Sequence, residues 1–181
     1  MSSVASSSVT PIRGHAGGGP VELLEAFVTD PAADPEAFDA VAAAHPEAWA
    51  AATVLAALAR IAGDDRDGTA GAQLEAVADG DVDDAAVTIA ARLDASVHAR
   101  AAEVALASAA GRDSVVLALT HGLEVIDDVT ALLLTYRAIA LARVGMVVSA
   151  QSAVDRVLRS RRRHPAVRTF ARRQRDMTWH R

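Results

Sequence analysis

The chain has 181 residues, enough for a sizeable core, is 51% apolar but only 3% aromatic, and carries a formal net charge of −5. It contains no cysteine, which excludes disulfides, Cys-zinc sites and thiol catalysis, and all 18 of its basic residues are arginine. Alanine supplies much of the apolar fraction, and β-branched or aromatic residues never alternate as a strand requires, so the composition points to close-packed helices.

Residues 1–19 are dominated by Ser and Gly, and their few apolar groups cannot offset the entropy of ordering, so they read as a tail. Gly17 to Gly19 lack the following Gly-Lys-Ser/Thr of a phosphate loop. The tail lacks the apolar stretch of a signal peptide, and no run reaches ~18 uncharged apolar residues. A cytoplasmic protein with no membrane association is therefore expected, with one helical domain over 20–176 and a short tail over 177–181.

Helix signals follow in order. Pro20 opens a short helix carrying Leu23, Leu24, Phe27 and Val28, and Asp30-Pro31 closes it. Asp34-Pro35-Glu36 combines a cap, a first-turn proline and an early acid, starting a helix with Phe38 and Val41 on its apolar side. His45-Pro46-Glu47 restarts the chain as a longer helix that Gly63 can close. After an acidic loop over 64–71, a weak helix is expected over 72–78, then one capped by Asp81 with Val82, Ala86, Ile89 and Leu93 at helical spacing. Asp94 introduces a helix bearing Val97, Ala101 and Val104 and ending near Gly111. Asp113 caps the next, whose apolar side runs through Val116, Leu119, Leu123 and Ile126. The segment Thr130 to Val144, preceded by Asp128, is apolar nearly all round and should be the most buried. Val147 to Ser160 should face Ala150, Val154 and Val157 inward, with Gln151, Asp155, Arg156 and Arg159 outward. His164-Pro165 breaks the chain before a last helix over about 166–176.

Alternate helix starts are expected 33 to 35 residues apart, the period of a helix–turn–helix repeat. Within Thr130 to about Arg175, Ala138, Leu141, Gly145, Ala150, Val154 and Val157 fall at mutual offsets that resemble a tetratricopeptide repeat followed by a capping helix. Leu134 stands where that family often has an aromatic. Arg137, the turn Met146-Val147-Val148 and the late Pro165 depart from its pattern. The resemblance implies an all-α, right-handed stack of antiparallel helix pairs, a tetratricopeptide-like α-solenoid without a sheet. It also implies peptide or protein binding on a concave face lined by Thr130–Val144 and its upstream equivalents, and no catalysis.

Candidate chemistry is sparse. Gly63-Asp64-Asp65-Arg66-Asp67-Gly68 resembles a calcium loop, but aligning Gly68 with the turn glycine puts Gly63 at the first ligand position and Leu74 at the bidentate one. Asp79, Asp81 and Asp83 alternate similarly, with Asp84 where glycine belongs and Ala90 where Glu belongs. Helix caps and solvated linkers account for both. His15, His45, His98, His121, His164 and His180 form no i, i+4 pair, and no nucleophile elbow or Ser/His/Asp order is visible. No catalytic residue, metal ligand or cofactor is assigned.

Charge is the sharpest feature. Residues 156–181 hold ten Arg and one acid, a charge of +9, whereas residues 1–155 hold eight Arg and 22 acids, a charge of −14. Arg159, Arg161, Arg162, Arg163, Arg168, Arg172 and Arg173 form the candidate partner- or anion-binding set. Four roles fit: a solvated helical end, pairing with the acidic body within one chain or between two, docking of an acidic protein segment, and nucleic acid or anionic lipid. The acidic body would repel a polyanion. The expected function is a protein-binding scaffold, with a nucleic-acid-associated regulator as the alternative.

Overall fold

The computed structural model describes residues 20–28, 34–63, 66–93, 96–160 and 162–179. Among these residues the chain forms ten α-helices and no strand: α1 (Pro20–Val28), α2 (Pro35–Ala44), α3 (Trp49–Ala62), α4 (Thr69–Ala78), α5 (Asp84–Ala91), α6 (Val97–Ala109), α7 (Asp113–Leu119), α8 (Asp128–Arg143), α9 (Val147–Arg159) and α10 (Pro165–Trp179), with one 3₁₀ turn at Pro46–Ala48. The all-α expectation holds. The Ser/Gly segment, Asp64, Asp65, Asp94 and Arg161 lie outside the described residues.

The punctuation read from sequence works locally. Asp34 accepts from the Glu36 amide at 2.9 Å with Pro35 in the first turn, and Gly63 follows α3 as its C-cap. Elsewhere the ends shift for identifiable reasons. The cap of α5 is Asp83, not Asp81, because its carboxylate reaches the Ala86 amide at 2.9 Å. Asp113 is the first residue of α7 and Arg112 the residue before it. α7 stops at Leu119, well short of Leu123 and Ile126: the Thr120 hydroxyl donates back to the Val116 carbonyl at 2.5 Å and Gly122 turns the chain with φ +70°. Ile126 is consequently 76% exposed rather than part of a buried face.

The helix starting at Asp128 is capped by Asp127, which accepts from the Thr130 amide at 2.8 Å while the Thr130 hydroxyl accepts from the Asp127 amide at 3.0 Å. Asp128 itself accepts from the His164 amide at 3.0 Å, tying the start of α8 to the start of α10. Of the 16 residues of α8, 12 are buried, and α3 buries 10 of its 14. These two helices anchor one core. α3 packs on α2, α4, α5 and α6, and α8 packs on α6, α7, α9 and α10. The face of Thr130–Val144 expected to line an open groove is thus largely covered by the chain's own helices.

The antiparallel pair α8–α9 buries Ala138, Leu141, Ala150, Val154 and Val157, and Gly145 turns between them with φ +83°. A small residue on each helix lets the backbones approach, and only the turn needs a left-handed residue. The helix starts at 97, 128 and 165 are 31 and 37 residues apart, a looser spacing than the 33 to 35 expected, while those at 113 and 147 are 34 apart and fall within it. α10 runs to Trp179, past the expected end, and lies along α4, where Gly71 faces Ala166 and Arg173 reaches Glu75 and Asp79.

Candidate partner-binding site

The basic end is built from the last turn of α9, the loop after it and α10, which packs against α9. α9 is amphipathic: Ala150, Ala153, Val154 and Val157 are buried, while Gln151, Asp155, Arg156 and Arg159 are exposed. α10 turns Ala166, Val167, Phe170, Ala171 and Gln174 inward, and Phe170 packs on Tyr136 with ring centroids 5.3 Å apart.

The structure divides the seven candidate arginines. Arg173 forms ion pairs with Glu75 and Asp79, each at 2.7 Å, fastening α10 to α4. Arg163 donates to the carbonyls of Ile126 at 3.3 Å and Val125 at 3.4 Å, supporting the irregular segment before α8. These two act inside the fold. Arg159, Arg162 and Arg172 are exposed and, among the described residues, have no ion pair. Arg168 is half-buried, and its Nε has no partner among the described residues. On α10, Arg168, Arg172 and Arg175 fall at i, i+4 and i+7 and share one helical face, where Arg175 meets Asp176 at 3.1 Å.

Several arginines with structural roles fell outside the expected set: Arg60 pairs with Asp39 and donates to Gln73, Arg112 pairs with Asp84, and Arg137 and Arg143 end other helices. Arg137 donates to the Leu117 carbonyl at 3.0 Å, closing the end of α7, which explains an arginine at a usually apolar position. Arg143 donates to the Ser108 carbonyl at 2.7 Å, near the end of α6, and lies 3.3 Å from Asp113. Cations complement the negative ends of helices. For these two, an arginine within an otherwise apolar helix was the available signal.

Asp67, Asp79 and Asp83 of the two acidic loops bond within the fold, Asp83 as the N-cap of α5 and Asp67 one residue before the Gly68 N-cap of α4. Asp67 accepts from the Thr69 amide at 2.7 Å, and the hydrogen bonds from Thr69 hold its carboxyl below the usual value. Asp79 pairs with Arg173 and Asp83 caps α5. His98 is half-buried, His121 exposed, and His164 is buried with its Nδ1 accepting from the Ala166 amide at 3.2 Å. Among the described residues no three His, Asp or Glu side chains are grouped as metal ligands, and no helix is long and apolar enough to cross a membrane. Compared with known proteins, the chain matches no family model, no curated protein and no solved structure.

Proposed function

We propose that the chain is a non-catalytic helical scaffold, acting in the cytoplasm, that docks an acidic segment of another protein on its basic end. The observation that carries this is the division of the arginines. Arg163 and Arg173 are engaged within the fold, while Arg159, Arg162 and Arg172 extend into solvent from adjoining elements with no acid paired to them among the described residues. Such fork-shaped donors bind carboxylates bidentately. The α8–α9 pair, with its small-residue contact and glycine turn, supports reading this part of the chain as tetratricopeptide-like.

The second reading is nucleic acid, favoured by the i, i+4, i+7 stripe of Arg168, Arg172 and Arg175. The charge of −14 on residues 1–155 weighs against it. The triple charge reversal Arg159→Glu/Arg162→Glu/Arg172→Glu separates the two, because it leaves the contacts of Arg163 and Arg173 intact. Affinity capture with the full chain should return a specific partner that is lost from the variant, while helicity by circular dichroism is unchanged. Binding of generic duplex DNA or RNA at low salt, falling steeply as salt rises, would instead support the second reading. A capture profile identical for both chains, without nucleic-acid binding, would leave the arginines as a solvated end.

A further inference from the structure

α9 packs on α8 and α10 and turns its other side to solvent, where two features that the fold does not use lie at opposite ends of the helix. At its start, Val144, Met146, Val147 and Val148 form an apolar cluster across the turn from α8, each between 42% and 81% exposed. At its end, Arg156 and Arg159 are exposed and pair with no acid among the described residues, and the exposed Arg162 follows in the next loop. The helical period joins the two ends. Val148, Ser152, Asp155 and Arg159 stand at i, i+4, i+7 and i+11, share one stripe, and are all exposed.

The cluster is not needed for the packing of α9, whose buried side is filled by Ala150, Ala153, Val154 and Val157. Contiguous apolar side chains in water mark an interaction site, whereas scattered ones do not. Four side chains exposed to this degree offer on the order of a few hundred Å², well short of the ~800 Å² that each partner gives a stable interface. The cluster is therefore too small to pair two copies by itself and suits one end of a longer contact. Eleven residues of helix put Val148 and Arg159 about 16 Å apart. Asp155 lies between them and repels a carboxylate there, which confines an acidic ligand to the Arg159–Arg162 end. We propose that the outer stripe of α9 receives an amphipathic partner segment, whose large apolar residues cover Val144–Val148 and whose acids, about 16 Å further along, pair with Arg159 and Arg162. This rests on the docking reading above and adds to it the apolar half of the recognised segment.

The test uses the full chain and three fluorescein-labelled helical peptides, followed by anisotropy. The first carries a leucine cluster and a glutamate cluster on one face, about eleven residues apart. The second has serine in place of leucine, and the third brings the two clusters within one helical turn. The first should bind about tenfold tighter than the other two, the gain from partly burying a large apolar side chain. Met146→Ser/Val148→Ser should erase that gain and leave the first peptide bound no better than the second. Both side chains are more than half exposed, so circular dichroism should be unchanged. Arg159→Glu/Arg162→Glu/Arg172→Glu should abolish binding of all three. Equal binding of the three peptides, lost in the arginine variant, would overturn the inference and leave the docking of an acidic segment standing. Binding that the arginine variant retains would overturn both. Absence of binding by every peptide would overturn the inference, with the capture experiment then judging the docking reading on its own. Self-association in sedimentation, or binding to phosphatidylcholine vesicles, that disappears in Met146→Ser/Val148→Ser would assign the cluster to a second copy or a lipid surface and equally overturn it.

Discussion

α8 and α10 lie against each other, yet they are held on different terms. α8 is buried along 12 of its 16 residues, and its two arginines reach out to end other helices. α10 carries arginines at four of its fifteen positions, Arg168, Arg172, Arg173 and Arg175, and turns a narrow apolar stripe inward. Packing on all sides holds α8, whereas α10 adds charge pairs with α4 to a one-sided apolar contact. The comparison separates what is needed for the core from what is needed to fasten its cover, and substitutions in the two helices should fail in different ways.

The largest effects belong to the apolar contacts. Leu133→Ala in α8 removes a fully buried side chain and should cost about 2–5 kcal/mol in urea denaturation, with the whole domain losing cooperativity. Phe170→Ala in α10 should cost about 3–5 kcal/mol, because it also loses the ring contact with Tyr136. Amide exchange should then reveal early opening confined to α10 and the α4 face beneath it, while α8 stays protected. Simultaneous loss of protection in both helices would erase the distinction drawn between them. Next in size is Asp127→Ala, which removes the carboxylate that accepts from the Thr130 amide, leaves the backbone amide of residue 127 to donate to the Thr130 hydroxyl, and should cost about 1 kcal/mol.

Charge pairs come lower. Arg173→Ala breaks two partly exposed ion pairs between α10 and α4 and should cost at most about 1 kcal/mol, less at high salt. Arg172→Ala, one residue away, should change stability by less than about 0.5 kcal/mol, because its side chain is exposed and makes no ion pair among the described residues. Measuring the two melting temperatures side by side at low and high salt checks whether neighbouring arginines of one helix really divide into fastener and free surface.

That division marks the limit of what sequence makes legible here. Signals whose partners lie within a few residues could be read directly: Asp34 before Pro35, Gly63 after α3, Gly145 between α8 and α9, and the inward face of α9. The early end of α7 was not read, since the Thr120 back-bond and the Gly122 turn override an apolar period that continues to Ile126. Long-range pairing was the other gap. Arg173 and Asp79 are 94 positions apart, and Arg162 and Arg163 are neighbours with opposite fates. A charge run specifies that a segment is basic, but which arginine finds a carbonyl or carboxylate depends on where helices cross.

The smallest effect tests the reading of Asp67 as bonded within the fold. Asp67 is fully exposed, and its carboxyl is held below its ordinary value of 3.8, first by the backbone hydrogen bond from Thr69, then by the Thr69 side chain. A group whose pKa is depressed in the fold binds its proton more readily when unfolded. Its contribution to stability is therefore complete above the ordinary value of 3.8 and disappears as pH falls through the lower, folded-state value. Wild type and Asp67→Ala should differ in melting temperature by a small, constant amount from neutrality down to about pH 5, and the gap should close at stronger acid. Added calcium should leave that gap unchanged, since this contact needs only Thr69. A calcium-dependent gap would restore the loop as an ion site.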